Sequence, residues 1–86
     1  MIKIWAKIVK NNKIIKSTVL EKPENMDYSE FFTYLSEICS ALDVATPVLV
    51  KPHIFNYAKF NHVKFTKSDF LEPTDFDKLV LENILR

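Results

Sequence analysis

Residues 2–9 alternate between apolar and polar or aromatic positions, which is typical of a β-strand with one buried face. Because successive side chains of a strand point to opposite faces, this segment divides into two sets. The inner set is Ile2, Ile4, Ala6 and Ile8, and the outer set is Lys3, Trp5, Lys7 and Val9. The alternation therefore predicts a first strand whose outer face carries the only tryptophan between two lysines.

A two-residue turn is predicted at the sequence KNNK, residues 10–13. Asparagine is the residue other than glycine that best tolerates the positive φ of a type I′ turn. With Asn11 and Asn12 in the turn, residue i of the hairpin pairs with residue 23 − i. This register places Ile14, Lys16, Thr18 and Leu20 on the outer face of the second strand. A slip of one residue would exchange its two faces.

A helix is predicted after Pro23, which ends the second strand. Asp27 begins this helix, with Glu30 three residues later as in a capping box. Apolar residues then follow at helical spacing, which predicts a stripe that faces the core. The stripe consists of Tyr28, Phe31, Phe32, Leu35, Ile38, Cys39 and Leu42.

In the second half of the chain, one proline-bounded break and two further helices are predicted. Pro47 and Pro52 bound residues 48–50, which suit an edge strand or an extended linker, and Pro52 suits the first turn of a short helix over residues 52–60. Residues 61–66 alternate and predict a third strand. In residues 73–86, a Thr74 or Asp75 cap and apolar residues at helical spacing predict a terminal helix. Those apolar residues are Phe76, Leu79, Val80 and Ile84.

These elements indicate a single α+β domain over residues 1–86, in the order ββα(α)βα. The expected architecture is a small antiparallel sheet built on the N-terminal hairpin, with the helices on one face. The other face of the sheet would then be bare.

Composition removes several classes of function. The chain has no glycine, which excludes the phosphate-binding loops of P-loop and dinucleotide-binding proteins. The single cysteine, Cys39, forms no internal disulfide and suits a buried position in a reducing compartment. No apolar run approaches the length of a membrane span, and lysines interrupt the apolar residues of the N-terminus, so we expect a cytoplasmic protein. The abundance of Ile, Asn and Lys is associated with a low-GC bacterium or a mobile element.

The net charge of +1 conceals alternating blocks of charge. Residues 1–22 carry six lysines and one glutamate, whereas residues 23–46 carry five acids and no base. Residues 47–67 carry four lysines and no acid, and residues 68–86 are again acidic. Either basic strands and acidic helices neutralise one another, or the basic blocks share one face that attracts an anionic partner.

The bare face of the hairpin is the predicted functional surface. An uncovered surface that mixes aromatic, aliphatic and lysine side chains usually binds something. We expect a homo-oligomer or a protein partner there, since two-fold pairing of one surface is the commonest form of oligomer. The residues predicted to make this contact are Trp5, Lys3, Lys7, Lys16, Thr18 and Leu20.

Two alternatives remain open at this point. The same face could bind single-stranded nucleic acid by base stacking and phosphate contacts. The residues of that alternative are Trp5, Lys7, Lys16, Lys51, Lys59 and Lys64. In the other alternative residues 47–60 cover Trp5, and the face is not bare.

The sequence offers no catalytic or metal-binding constellation. His53, His62 and Cys39 match no zinc spacing, and a thiolate needs an electropositive, partly exposed environment that the acidic helix around Cys39 does not supply. The acids around Pro73 have no calcium-loop spacing. We therefore expect no enzyme, no cofactor, no metal, no small-molecule substrate and no membrane contact.

Overall fold

A computed structural model describes residues 1–85 of the chain. The fold is α+β, with a four-stranded antiparallel sheet and two α-helices. The sheet has the strand order β2-β1-β4-β3. The strands are β1 (Ile2–Lys10), β2 (Lys13–Lys22), β3 (His62–Thr66) and β4 (Lys78–Asn83), and the helices are α1 (Phe31–Leu42) and α2 (Lys51–Phe60).

The N-terminal hairpin forms at the predicted turn. Asn11 and Asn12 have φ values of 53° and 63°, as both central residues of a type I′ turn require. The backbone N–H of Asn11 also donates to Asp77 Oδ2 at 2.8 Å, which ties the turn to the residue before β4. In this chain, which has no glycine, asparagine thus adopts the positive-φ conformation that the turn requires.

The predicted register of the hairpin is correct only beside the turn. Val9 pairs with Ile14 as predicted, but a β-bulge follows, and Ile8 pairs with Lys16 instead of Ile15. From there to the end of β2 the pairing is shifted by one residue. Because one residue reverses the facing of a strand, Thr18 and Leu20 lie on the inner face of the sheet.

Helix α1 is entered through a short 3₁₀ turn at Tyr28–Glu30. The side chain of Asp27 accepts a hydrogen bond from the Ser29 N–H at 3.0 Å, so Asp27 is the predicted cap, but Glu30 does not complete a capping box. Most of the predicted stripe is buried, with Tyr34 in addition. Tyr28 and Phe32 are exposed, which corrects the prediction for those two side chains.

The middle of the chain follows the prediction at α2 and β3. Pro52 lies in the first turn of α2, where its missing N–H costs no helical hydrogen bond. Residues 48–50 form no strand and serve as an extended linker, whose Val48 N–H donates to the carbonyl of Asp69 at 2.8 Å. Val63 and Phe65 of β3 are buried, as the alternation predicted.

The predicted terminal helix is wrong, since the end of the chain forms β4. Leu79 and Leu81 are fully buried and Val80 points to the other face, which is a period of two. The segment lies between β1 and β3 and hydrogen-bonds to both. Tertiary pairing overrides the helical spacing of Phe76, Leu79, Val80 and Ile84.

Both helices contribute their buried side chains to one core on the inner face of the sheet. Phe31 of α1 and Tyr57 of α2 meet edge to face, with ring centroids 5.1 Å apart. The His53 ring of α2 lies 4.5 Å from that of Phe65, an inner-face residue of β3. Within residues 1–85 no helix lies on the outer face.

Substitutions in β4 distinguish a strand from a helix. Leu81→Ala removes a fully buried side chain and should lower the free energy of unfolding by about 2–5 kcal/mol. Val80→Ala should cost about 1 kcal/mol or less, because Val80 is half-buried on the outer face. Urea unfolding of both variants measures the difference. A larger loss for Val80→Ala than for Leu81→Ala would contradict the strand.

Candidate functional site

The outer face of the sheet carries two apolar cross-strand pairs on the hairpin, one on each side of the row formed by Lys7 and Ser17. Trp5 lies opposite Val19, and Val9 lies opposite Ile14. Val19 and Ile14 are 47% and 51% exposed, whereas Trp5 and Val9 are half-buried. We call these four residues the hairpin patch.

Lys7 lies between the two pairs of the hairpin patch, and its charge is already satisfied. Its Nζ is 4.0 Å from the centroid of the Trp5 ring and 3.0 Å from Glu82 Oε1 on β4. The Lys7 and Glu82 side chains are 14% and 26% exposed. The lysine therefore lies along the sheet, against the indole, instead of extending into solvent.

Lys3 is also paired on this face. Its Nζ lies 3.8 Å from Glu21 Oε2, and both side chains are substantially exposed. Such a pair contributes little to stability, but it lowers the local positive charge. Two of the lysines that the sequence assigned to the outer face are thus neutralised within the fold.

Strands β4 and β3 extend the outer face beyond the hairpin. Glu82 and His62 continue the row of Trp5, and Val80 and Lys64 continue the row of Lys7. Lys78 and Thr66 continue the row of Val9 in the same way. The basic side chain of Lys78 therefore lies opposite Val9 of the hairpin patch, whereas Lys64 lies one strand further away, on β3.

Three of the six predicted contact residues lie on the outer face, and three do not. Trp5, Lys3 and Lys7 lie where the alternation of β1 placed them. The outer-face placement of Lys16, Thr18 and Leu20 is wrong, because the bulge turns them inward. Leu20 packs against the core, Thr18 is half-buried opposite Ala6, and the Lys16 Nζ donates to the carbonyl of Leu42 at 3.1 Å.

Sequence reasoning missed Val19, Ser17 and Glu21 on β2, and the outer residues of β4. The alternation of β2 is weak, since its sequence KIIKSTVLEK has apolar residues at both parities. The adjacent Ile14 and Ile15 are the sequence signal of the break, because a bulge allows two successive branched residues opposite one partner residue.

The residues of the nucleic-acid alternative do not form one surface. Trp5, Lys7 and Lys64 lie on the outer face. Lys51 and Lys59 lie on α2, which packs on the inner face through Tyr57 and Ile54. Lys16 also lies on the inner face. The alternative in which residues 47–60 cover Trp5 is wrong for the same reason, since α2 packs on the inner side.

Two groups with nucleophilic or ligating chemistry, Cys39 and His53, are engaged in the fold. Cys39 is fully buried, and burial raises the pKa of its thiol to about 11. His53 Nδ1 accepts a hydrogen bond from the Val50 N–H at 3.1 Å, and its Nε2 lies 3.5 Å from Asp69 Oδ1. In residues 1–85, no three His, Cys, Asp or Glu side chains gather as a metal ion would require.

Comparison with protein-family models, curated proteins and solved structures finds no match to this chain. None of the helices in residues 1–85 has both the length and the apolar character needed to span a bilayer. The candidate site therefore rests on the geometry of the sheet.

The raised pKa of Cys39 predicts a loss of stability at alkaline pH. The unfolded thiol ionises near pH 9, whereas the folded thiol keeps its proton until about pH 11. Its contribution to stability is complete below pH 9 and is lost as the pH rises toward 11. Burial also raises the pKa of the Tyr57 phenol, which acts in the same direction.

Urea unfolding at about pH 8 and about pH 10.5 measures this effect. The drop in unfolding free energy between the two pH values should be smaller in Cys39→Ala than in the unmodified protein. An equal drop in both proteins would show that the thiol is not the titrating group.

Proposed function

We propose that this protein is a small, non-enzymatic interaction module of the cytoplasm that self-associates through the hairpin patch. The observation that carries the proposal is the presence of two apolar pairs, Trp5 with Val19 and Val9 with Ile14, on either side of the ion-paired Lys7, on a sheet face that no helix of residues 1–85 covers. Exposed aromatic and aliphatic side chains of this kind are typical of a protein interface.

The charges of the face support a protein partner. Lysine is depleted at interface cores, and unpaired lysines near a two-fold axis would repel their own copies. Here Lys7 is held by Glu82 and Lys3 by Glu21, so the lysines on either side of Trp5 would meet a second copy as paired charges. Rows of charged residues at the ends of the patch can then form the polar rim.

The same contacts weigh against nucleic acid. The Lys7 ammonium lies over the Trp5 ring, where a stacked base would need to lie. A phosphate would also compete with Glu82 for Lys7. A nucleic-acid function predicts an affinity that falls with salt by roughly one unit of logarithmic slope per phosphate contact.

A second form of the proposal is docking of the hairpin patch to a different protein. It uses the same residues, because an apolar centre with paired charges around it does not by itself specify a copy of the chain. Two-fold self-association is the form we place first, since it needs only one complementary surface.

Charge substitution in the hairpin patch tests the proposal. Light scattering coupled to gel filtration should show a mass that rises with concentration toward twice the 10.1 kDa of one chain. Trp5→Lys and Val19→Lys should both stay at the monomer mass, because each puts a charge in the apolar centre. Phe32→Lys is the matched control, since Phe32 is exposed on α1, on the other side of the molecule.

Val19→Lys should leave the fold intact, because Val19 is already 47% exposed, so this variant separates loss of self-association from unfolding. Circular dichroism should show folded protein for this variant. Self-association that survives in folded Val19→Lys, or a wild-type protein that is monomeric at every concentration, would contradict self-association through the hairpin patch.

A further inference from the structure

Strand β3 is an edge strand with a defined set of outward backbone groups. In the sheet it pairs with β4 alone. The Asn83 N–H donates to the Asn61 carbonyl at 2.8 Å, in register with the β3–β4 pairing. Hydrogen bonding to β4 therefore falls on alternate residues, Val63 and Phe65. The N–H and C=O groups of His62 and Lys64 point away from the sheet.

The C-terminal end of β3 shows the same alternation between backbone groups that face β4 and groups that point away from it. The Thr66 N–H donates to Asp69 Oδ2 at 2.8 Å, so it points away from β4 as the alternation requires. The Asp69 side chain therefore already occupies the outward N–H group at this end of the edge strand. The open part of the edge is therefore the segment from His62 to Lys64.

A groove runs along this open edge, between β3 and α2. Its volume is about 490 Å³, and it lies between one stripe of α2 and the start of β3. Pro52, Asn56 and Phe60 recur at every fourth residue of α2 and form its helical wall. Phe60 is 52% exposed, so the groove presents an apolar surface beside unpaired backbone groups.

An edge strand beside a helix is the geometry that accepts an added strand. A bound segment would pair its backbone with His62 and Lys64. Its residue opposite Val63 would point to the inner face, into the groove beside Phe60. The residues on either side would point to the outer face, next to the side chains of His62 and Lys64.

The side chains at this edge indicate what kind of added strand would bind there. Lys64 and His62 are both exposed, and within residues 1–85 Lys64 forms no ion pair. A carboxylate opposite Lys64 would therefore be complementary in charge, and a carboxylate opposite His62 could accept a hydrogen bond from the imidazole. A second copy of β3, paired antiparallel about Val63, would place Lys64 opposite His62 of the copy, which offers the lysine no opposite charge.

We propose that the edge of β3 and the α2 wall bind an extended acidic segment of another protein by strand addition, with the pattern carboxylate, apolar, carboxylate. The apolar residue enters the groove, and the two carboxylates flank His62 and Lys64. This site lies at the opposite edge of the sheet from β2, so it does not depend on self-association through the hairpin patch.

The test uses a fluorescent, end-capped peptide with Glu-Val-Glu at its centre and threonines on both sides. Fluorescence anisotropy should show saturable binding to the full chain. Two control peptides have matched chemistry: one has the same composition with the glutamates adjacent, and one is N-methylated on the backbone amides of the two glutamates, which would pair with His62 and Lys64. Both should bind at least about tenfold more weakly, which corresponds to about 1.4 kcal/mol.

Substitutions on the protein complete the test. Lys64→Glu should weaken Glu-Val-Glu binding at least about tenfold and favour a Lys-Val-Lys peptide instead. Lys67→Glu is the control, because Lys67 is exposed and lies outside the groove. Trp5→Lys should bind the peptide as the unmodified protein does, which separates this site from the hairpin patch.

Three results would overturn the proposal. The first is no saturable binding up to about 1 mM peptide, which corresponds to less than about 4 kcal/mol of affinity. The second is equal binding of the N-methylated peptide, which would mean charge attraction without strand addition. The third is protection of the His62 and Lys64 amides from hydrogen exchange on concentrating the protein alone, which would assign the edge to a second copy.

Discussion

The insertion of β4 between β1 and β3 is the interaction on which the rest of the structure depends. Without it the chain would have an isolated hairpin and a single strand of five residues, and neither is stable alone in water. Leu79 and Leu81 are fully buried between Ile8 and Ala6 on one side and Phe65 and Val63 on the other. This row of side chains makes one continuous inner face, against which both helices pack.

The same insertion determines what the molecule offers to partners. Glu82 of β4 pairs with Lys7 of the neighbouring strand β1 and holds it against Trp5. A contact between distant parts of the chain therefore organises the centre of the outer face. It also leaves β2 and β3 as the two edges of the sheet. The hairpin patch lies towards the first edge, and the α2 groove lies along the second.

The local features of the fold could be predicted because each has a strong signal in a few residues. Asn11 and Asn12 specify the turn, Asp27 caps the entry to α1, and Pro52 fixes the start of α2. The alternation of β1 also placed Trp5, Lys3 and Lys7 correctly on the outer face. These signals depend on backbone preferences and on burial of one side of one element.

The two largest errors arose where non-local pairing decides the outcome. In β4 the apolar residues fit both a helix and a strand, and only the vacant position between β1 and β3 selects the strand. In β2 a bulge of one residue reverses the facing of Lys16, Thr18 and Leu20, and the weak alternation of the strand does not show it. That single shift moves half of the candidate contact residues to the inner face of the sheet.

Acrylamide quenching of the tryptophan fluorescence, measured across protein concentration, is the decisive test of self-association through the hairpin patch, since Trp5 is the only tryptophan and belongs to that patch. We expect Trp5 to be open to the quencher in dilute protein and to become protected as the mass of the particle rises. In Val19→Lys the quenching should remain at the dilute value at all concentrations. Quenching that stays constant while the mass doubles would place the contact elsewhere and contradict self-association through the hairpin patch.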